Sequence, residues 1–237
     1  MVCQSPIIEL HDLRFAWPKQ DLLLDITQFT VQSQQRVFLK GPSGSGKTTL
    51  LGLLGGVQLP QSGSIKLLGQ DLNQLSAGAR DRFRVDHSGF IFQQFNLLPF
   101  LSVLDNVVLP CQFSKLRQQR ASTRHGSIEA AAQALLQQLG LARQLHSKQA
   151  GELSIGQQQR VAAARALIGQ PELVIADEPT SALDADSREA FLQLLFSECA
   201  AAGASLLFVS HDQSLAPLFD RSIDLSQLNR AMRQPEV

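Results

Sequence analysis

Several things are scarce in this chain. Cysteine occurs at three distant positions, Cys3, Cys111 and Cys199, without metal-ligand spacing. An odd, scattered set is expected as reduced thiols of a cytoplasmic protein, not as a disulfide framework or a zinc site. Tyrosine is absent and tryptophan occurs once, so aromatic patterning points to no partner. No charge sign is in excess: 21 Lys and Arg face 21 Asp and Glu. Nucleic-acid binding usually shows as a basic surplus, so no nucleic-acid partner is expected, nor broad adhesion to anionic lipid. No run approaches the roughly 18 apolar residues of a membrane span. The start, MVCQSPIIELHD, has no basic n-region, and Cys3 lacks the apolar stretch of a lipoprotein signal. The expectation is a chain soluble by itself, whose membrane role, if any, comes through a partner.

What is present suits a globular protein. Of 237 residues, 44% are hydrophobic, enough for a sizeable core. Alternation predicts strands at Ile7–Phe15 and Ile26–Gln32, then a short apolar strand RVFLKG at Arg36–Gly41. A helix opened by a glycine loop follows from Lys47, and Gly63–Leu72 reads as a strand and turn. This first part is read as β-rich with one helix. From about Phe95 to Ala150 the pattern is mostly helical; SIEAAAQALLQQLGL is its clearest case, with Gly140 as the C-terminal cap. Just before it, SKLRQQRASTRHGS carries Lys115, Arg117, Arg120 and Arg124 and no acid. We read it as a solvated loop between helices; the alternative is a basic patch facing a membrane or a partner. The last third returns to α/β. ELVIADEP and ASLLFVSHD lack polar alternation, as strands covered on both faces do, and SREAFLQLLFSECAAAG is helical. The pattern gives an α/β core interrupted by a helical lobe.

Gly41-Pro42-Ser43-Gly44-Ser45-Gly46-Lys47-Thr48, followed by Thr49, fits the phosphate-loop pattern GxxxxGK[ST], with a strand before and a helix after. Gly44 and Gly46 allow backbone N–H groups to turn inward around phosphate oxygens, and the helix N-terminus adds partial positive charge. Lys47 is suited to the β- and γ-phosphates and the Thr48 hydroxyl to Mg²⁺. Small-molecule kinases, GTPases, helicases and transport ATPases all use such a loop.

LVIADEP places Asp177 and Glu178 at the end of a buried strand, where open α/β sheets bind ligands. Asp177 is suited to hold Mg²⁺. Glu178 is suited to polarise an attacking water, which favours hydrolysis over transfer to a metabolite.

Further motifs follow in order: FIFQQFNLLP with Gln93, LSIGQ at Leu153–Gln157, SALD at Ser181–Asp184 and VSHD with His211. Together with the phosphate loop and LVIADEP they resemble the ATP-binding-cassette (ABC) ATPases over nearly the whole chain. The resemblance implies an α/β fold: a P-loop NTPase (RecA-like) core with an N-terminal antiparallel β-subdomain and an inserted α-helical subdomain. In one domain, residues 1–92 and 158–237 would form the core and 93–157 the helical part. It also implies a head-to-tail dimer with a second ATPase subunit, ATP and Mg²⁺ as cofactors, and each ATP held between one phosphate loop and the other subunit's signature. Ser154 and Gly156 would meet the opposite γ-phosphate, and Gln157 would be among the ATP-binding residues. Gln93 would touch Mg²⁺ and the attacking water, His211 the γ-phosphate, and Asp184 would bridge the dimer. Trp17 falls where the family stacks an aromatic on adenine. The usual signature has glycine where this chain has Ile155. Ordinary helical geometry there would tolerate Ile, whereas a positive φ would strain it; the former is expected.

The wording of PSGSGKTTLLGLLGG, GFIFQQFNLLPFLSVLDNVVLP and IADEPTSALD looks most like the branch of lipoprotein-releasing, macrolide-exporting and cell-division ATPases. That implies a membrane permease partner with few helices and a large periplasmic part, and a chain held at the inner face of the cell membrane. The alternatives are the ATPase of an amino-acid-type importer and a soluble, non-transport ABC ATPase.

Overall fold

The computed structural model describes residues 5–232, so Cys3 lies outside the described residues. Two long strands, β1 (Pro6–Ala16) and β2 (Leu22–Gln32), open the chain. Next come β3 (Arg36–Lys40), helix α1 (Lys47–Leu54), β4 (Ser62–Leu67), β5 (Gln70–Asp71), helix α2 (Ala77–His87) and β6 (Ser88–Ile91). Four helices follow, α3 (Val103–Phe113), α4 (Lys115–His125), α5 (Ile128–Gln138) and α6 (Ile155–Leu167). The last part holds β7 (Leu173–Asp177), α7 (Ala185–Ala202), β8 (Ser205–Val209), β9 (Arg221–Asp224) and the short α8 (Leu225–Leu228). These elements gather into two compact units, one up to Arg84 plus everything from Ser205, the other Val85–Ala204. Among the described residues no helix is long and apolar enough to cross a membrane.

The first unit contains an antiparallel sheet in the order β2-β1-β4-β5. Alternation sets its register: Leu10 lies opposite Phe29 and Ile65, and Leu13 opposite Ile26, all on the buried face. The β1–β4 ladder breaks between His11 and Arg14, where Asp12 takes φ 46°. Only glycine fits opposite: a Cβ on Gly63 would stand 2.4 Å from the Asp12 carbonyl oxygen. The same unit holds three parallel strands, β8-β3-β9. Val37, Phe38 and Leu39 of β3 are wholly buried, and Phe38 packs on Phe208 and Phe219. Each such side chain contributes about 1.5–3 kcal/mol, so β3 is a firm root for the loop that follows it.

The second unit pairs β6 with β7 in parallel and covers them with helices. Helix α6 buries Val161, Ala162, Ala163, Ala164 and Ala166, and its small side chains let backbones close in. A Cβ on Gly89 of β6 would stand 2.1 Å from the Ala166 carbonyl oxygen. Gly140 ends α5 as expected: it takes φ 75°, its N–H reaches the Gln137 carbonyl, and the Leu141 N–H reaches the Leu136 carbonyl.

Two readings of the sequence need correction. The first part has a second helix, α2, and Ser114–Ser127 is not a solvated loop but contains α4. Ser114 caps α4 by accepting the Arg117 N–H. Arg117 is buried and donates to the carbonyls of Ser88 and Ala166. Arg120 donates to the Gln170 carbonyl and to Glu172, 2.8 and 2.7 Å away. Nor, therefore, do these two arginines form an outward basic patch. Helix α2 is held in the same way, by Arg80 Nε on the Gly56 carbonyl at 2.7 Å.

Candidate functional site

The phosphate-loop sequence sits where β3 releases the chain and α1 begins. Gly46 stands just before α1 at φ 91°, and a Cβ there would lie 2.7 Å from Leu24 Cδ2. Gly44 has φ 76° with open space around it, so its demand is conformational only. Pro42, Ser43 and Gly44 are exposed, Gly41 is half-buried and Ser45 is buried. The Ser45 hydroxyl has no hydrogen-bond partner among the described residues. Lys47 is buried, with Nζ donating to the carbonyls of Gly41 (2.8 Å) and Pro42 (3.0 Å) and lying 3.4 Å from His211 Nε2. The ammonium is thus drawn across the mouth of the loop, and the exposed His211 shares that spot. Thr48 is exposed and Thr49 half-buried on the first turn of α1.

Trp17 follows β1 in the turn to β2 and is 36% exposed. It meets Phe15 edge-on, with ring centroids 5.2 Å apart. One ring is therefore fixed by a buried neighbour yet open to a flat ligand. A glycine-rich loop at a helix start, a cation and an open aromatic suit a nucleoside triphosphate, and these residues fit ATP.

In the second unit Asp177 ends β7 and Glu178 comes next, both half-buried. Glu178 takes φ 48°, in the left-handed region that costs a non-glycine residue of order 1–2 kcal/mol. Such strain persists where surroundings enforce it and clusters at functional sites. Gln93 is exposed in the turn after β6, which bends through the positive-φ pair Phe95 (59°) and Asn96 (48°).

LSIGQ forms the start of α6. Ser154 is the N-cap; its hydroxyl accepts the Gln157 N–H while Gln157 Oε1 accepts the Ser154 N–H at 3.0 Å. This reciprocal capping box leaves the Ser154 hydroxyl proton available to an outside acceptor. Gln157 thereby acts first as part of the cap. Ile155 is the first helical residue, 54% exposed, and is absent from the positive-φ positions, as expected. Asp184 caps α7; bonds from the Ser187 backbone and hydroxyl hold its carboxyl below the usual range. Ser154, Gly156, Gln157 and Asp184 line one concavity of about 600 Å³.

The structure brings Trp17, the phosphate loop, Lys47 and His211 into the first unit. Asp177, Glu178, Gln93, the signature and Asp184 fall in the second. Oxygen donors such as Thr48 and Asp177 suit Mg²⁺, which takes one or two protein ligands and completes its shell with phosphate and water. No group of three or more His, Cys, Asp or Glu among the described residues is arranged to hold a metal. Two residues were missed from sequence. Arg165, which donates to the carbonyls of Phe95 and Asn96, was signalled only by a lone arginine among the alanines of α6. Asn229, wholly buried near the end of the described chain, carried no motif signal.

Comparison with known proteins agrees with this arrangement. The ABC transporter family's sequence model matches residues 24–181. The "uncharacterized ABC transporter ATP-binding protein YbbA" of Escherichia coli (strain K12) is 40% identical over 92% of this chain and 94% of its own. The "lipoprotein-releasing system ATP-binding protein LolD" of Novosphingobium aromaticivorans is 37% identical over 94% of this chain and 97% of its own. The "macrolide export ATP-binding/permease protein MacB" of Shigella flexneri is 37% identical over 93% of this chain, which spans 33% of that protein. Among solved structures, the dimeric bacterial ABC transporter cassette MJ0796 superposes with a TM-score of 0.77 at 32% identity, covering 92% of this chain and 93% of that one. A post-hydrolysis state of that cassette bound to ADP and Pi gives 0.77 at 30% identity, over 96% and 99%. The expected P-loop NTPase architecture is therefore the observed one, and the chain belongs to the ABC transporter family as an ATP-hydrolysing, ATP-binding subunit with relatives of the lipoprotein-release and macrolide-export type.

Proposed function

We propose that this subunit dimerises head to tail around two ATP and two Mg²⁺ and drives a membrane permease in export or in force transmission to the periplasm. The observation that carries the reading is the start of α6. Its capping box engages Ser154 and Gln157 with each other and still presents a hydroxyl proton, the Gly156 N–H and a helix N-terminus to one concavity. Such a surface suits an anion brought from outside, as the γ-phosphate of an opposing subunit would be. The single ATPase domain would use residues 1–92 and 158–237 as core and 93–157 as helical subdomain.

Roles follow from chemistry and position. Gly41–Thr49 hold the triphosphate through backbone N–H groups, and Lys47 moves from the Gly41 and Pro42 carbonyls to the β- and γ-phosphates. Thr48, Asp177 and Gln93 would hold Mg²⁺, which would supply charge neutralisation when bound. Glu178 orients and deprotonates water, and His211 hydrogen-bonds the γ-phosphate. Trp17 stacks on adenine. Asp184 bridges the dimer. The lobe around Phe95–Leu109 passes motion to the permease, placing the chain at the inner face of the cell membrane.

The test is Glu178→Gln. Removing the base should lower hydrolysis by about 10²–10³-fold and, with ATP, convert the purified chain to a dimer on size exclusion, reversed by Ser154→Ala. Hydrolysis at the wild-type rate would refute the base assignment, and a persistent monomer would refute the dimer.

A further inference from the structure

Asn229 is buried at the end of α8, on the segment that closes the described chain. Its side-chain oxygen accepts the Asp25 N–H at 2.8 Å, and its amide nitrogen donates to the Leu23 carbonyl, also at 2.8 Å. One amide therefore grips the backbone of β2 on both sides of Leu24. It also accepts the Ala231 N–H at 3.2 Å, which ties the strap to itself. Next to it Arg230 pairs with Asp25 at 2.9 Å.

Leu24 is the residue that matters in that grip. It is wholly buried, and its Cδ2 fills the space where a Gly46 side chain would stand. Across the ladder it lies opposite Phe15, whose ring holds Trp17 edge-on. The strand position fixed by Asn229 thus sets two distances together. One runs to the phosphate loop through Leu24 and Gly46. The other runs to the exposed ring through Phe15 and Trp17.

We propose that Asn229 is a positioning residue for nucleotide binding: its amide locks the β1–β2 hairpin in register with the phosphate loop, so that base and triphosphate are met at matched spacing. This rests on the reading of Trp17 as the base-stacking residue. The phosphate loop itself hangs on β3 and α1, and the hydrogen bonds of the Asn229 side chain go to β2 and to its own strap instead, so a ligand without a base should be indifferent to the strap.

Calorimetric titration of the full chain with magnesium ATP and with magnesium tripolyphosphate separates the cases. Asn229→Ala leaves two backbone groups of β2 without their partner, and should raise the Kd for ATP about fivefold while leaving that for tripolyphosphate within twofold. Asn229→Gln keeps both the acceptor and the donor on a longer side chain, so it should recover part of the ATP affinity; it also serves if the alanine variant fails to fold. Trp17, the single tryptophan, should become more accessible to acrylamide quenching in both variants. Equal weakening of both ligands would reduce Asn229 to a structural residue and overturn the proposal, as would an unchanged ATP Kd. A Trp17→Ala variant that fails to separate ATP from tripolyphosphate would overturn the base-stacking reading itself, and this inference with it.

Discussion

Arg165 on the signature helix donates to the Asn96 carbonyl at 2.6 Å, two residues after the Gln93–Gln94 pair. Its second nitrogen takes the Phe95 carbonyl. Both acceptors belong to residues with positive φ, so the guanidinium closes a turn whose backbone would not hold that shape unaided. Burial lowers the Arg165 pKa, and the two carbonyls replace the water its charge has lost. If Gln93 positions Mg²⁺ and the attacking water, Arg165 is what keeps Gln93 in reach. Arg165→Ala should lower kcat about tenfold with the ATP Kd within twofold, and Arg165→Lys should fall between because one ammonium cannot span both carbonyls with a planar fork. Steady-state hydrolysis and equilibrium nucleotide titration give the two numbers; an unchanged kcat would remove Arg165 from the coupling.

Ile155 tests the departure from the usual signature. Its backbone is ordinary helix and its side chain is exposed, so the position offers a ligand only its N–H. Ile155→Gly should therefore change hydrolysis by less than about threefold, while the loss of helix propensity lowers stability by no more than about 1 kcal/mol. Hydrolysis assays and thermal melts of both proteins decide it. A tenfold rise in rate would mean that the isoleucine obstructs the partner surface.

What could be read from the sequence, and what could not, divides along a physical line. The phosphate loop, LVIADEP and the signature were legible because each is local: a few consecutive residues carry both the geometry and the chemistry. The end of α5 was legible because Gly140 is a local device too. Helices α2 and α4 were not. Their anchors are arginines reaching carbonyls, Arg80 to Gly56 and Arg117 to Ser88 and Ala166, and such bonds leave no apolar period in the sequence. Asn229 was hidden for a related reason, since its partners Leu23 and Asp25 lie some two hundred residues earlier.

The cluster that anchors α4 also sets an acid limit on stability. Burial alone would raise the Glu172 carboxyl, but hydrogen bonds from His87 and Arg120 outweigh it and bring it from 4.5 down to about 2. The unfolded chain binds the proton more readily, so this contribution is complete above about pH 5 and is lost as pH falls toward 2. Allowing for partial solvent screening, it amounts to about 2 kcal/mol. Glu172→Gln should be less stable than the wild type at pH 6 and converge with it near pH 2.5 in urea denaturation. A gap that stays constant across that range would show that the carboxyl titrates with its ordinary pKa.

The membrane partner is the remaining prediction, and it rests on the proposed function. No helix among the described residues is long and apolar enough to cross a membrane. Phe100 and Phe113 of the helical region are each 68% exposed, an unusual expense of apolar surface for residues with no buried role. Tagged Glu178→Gln chain, given ATP and drawn from detergent-solubilised membranes of its own cells, should bring down a protein with few spans and a large periplasmic part. Phe100→Ser with Phe113→Ser should reduce that recovery several-fold while leaving ATP-driven dimerisation intact, because neither residue belongs to the nucleotide site. Recovery of a many-helix permease together with a solute-binding protein would move the assignment to an importer. Recovery of no membrane protein would leave a soluble ABC ATPase and refute the transport reading.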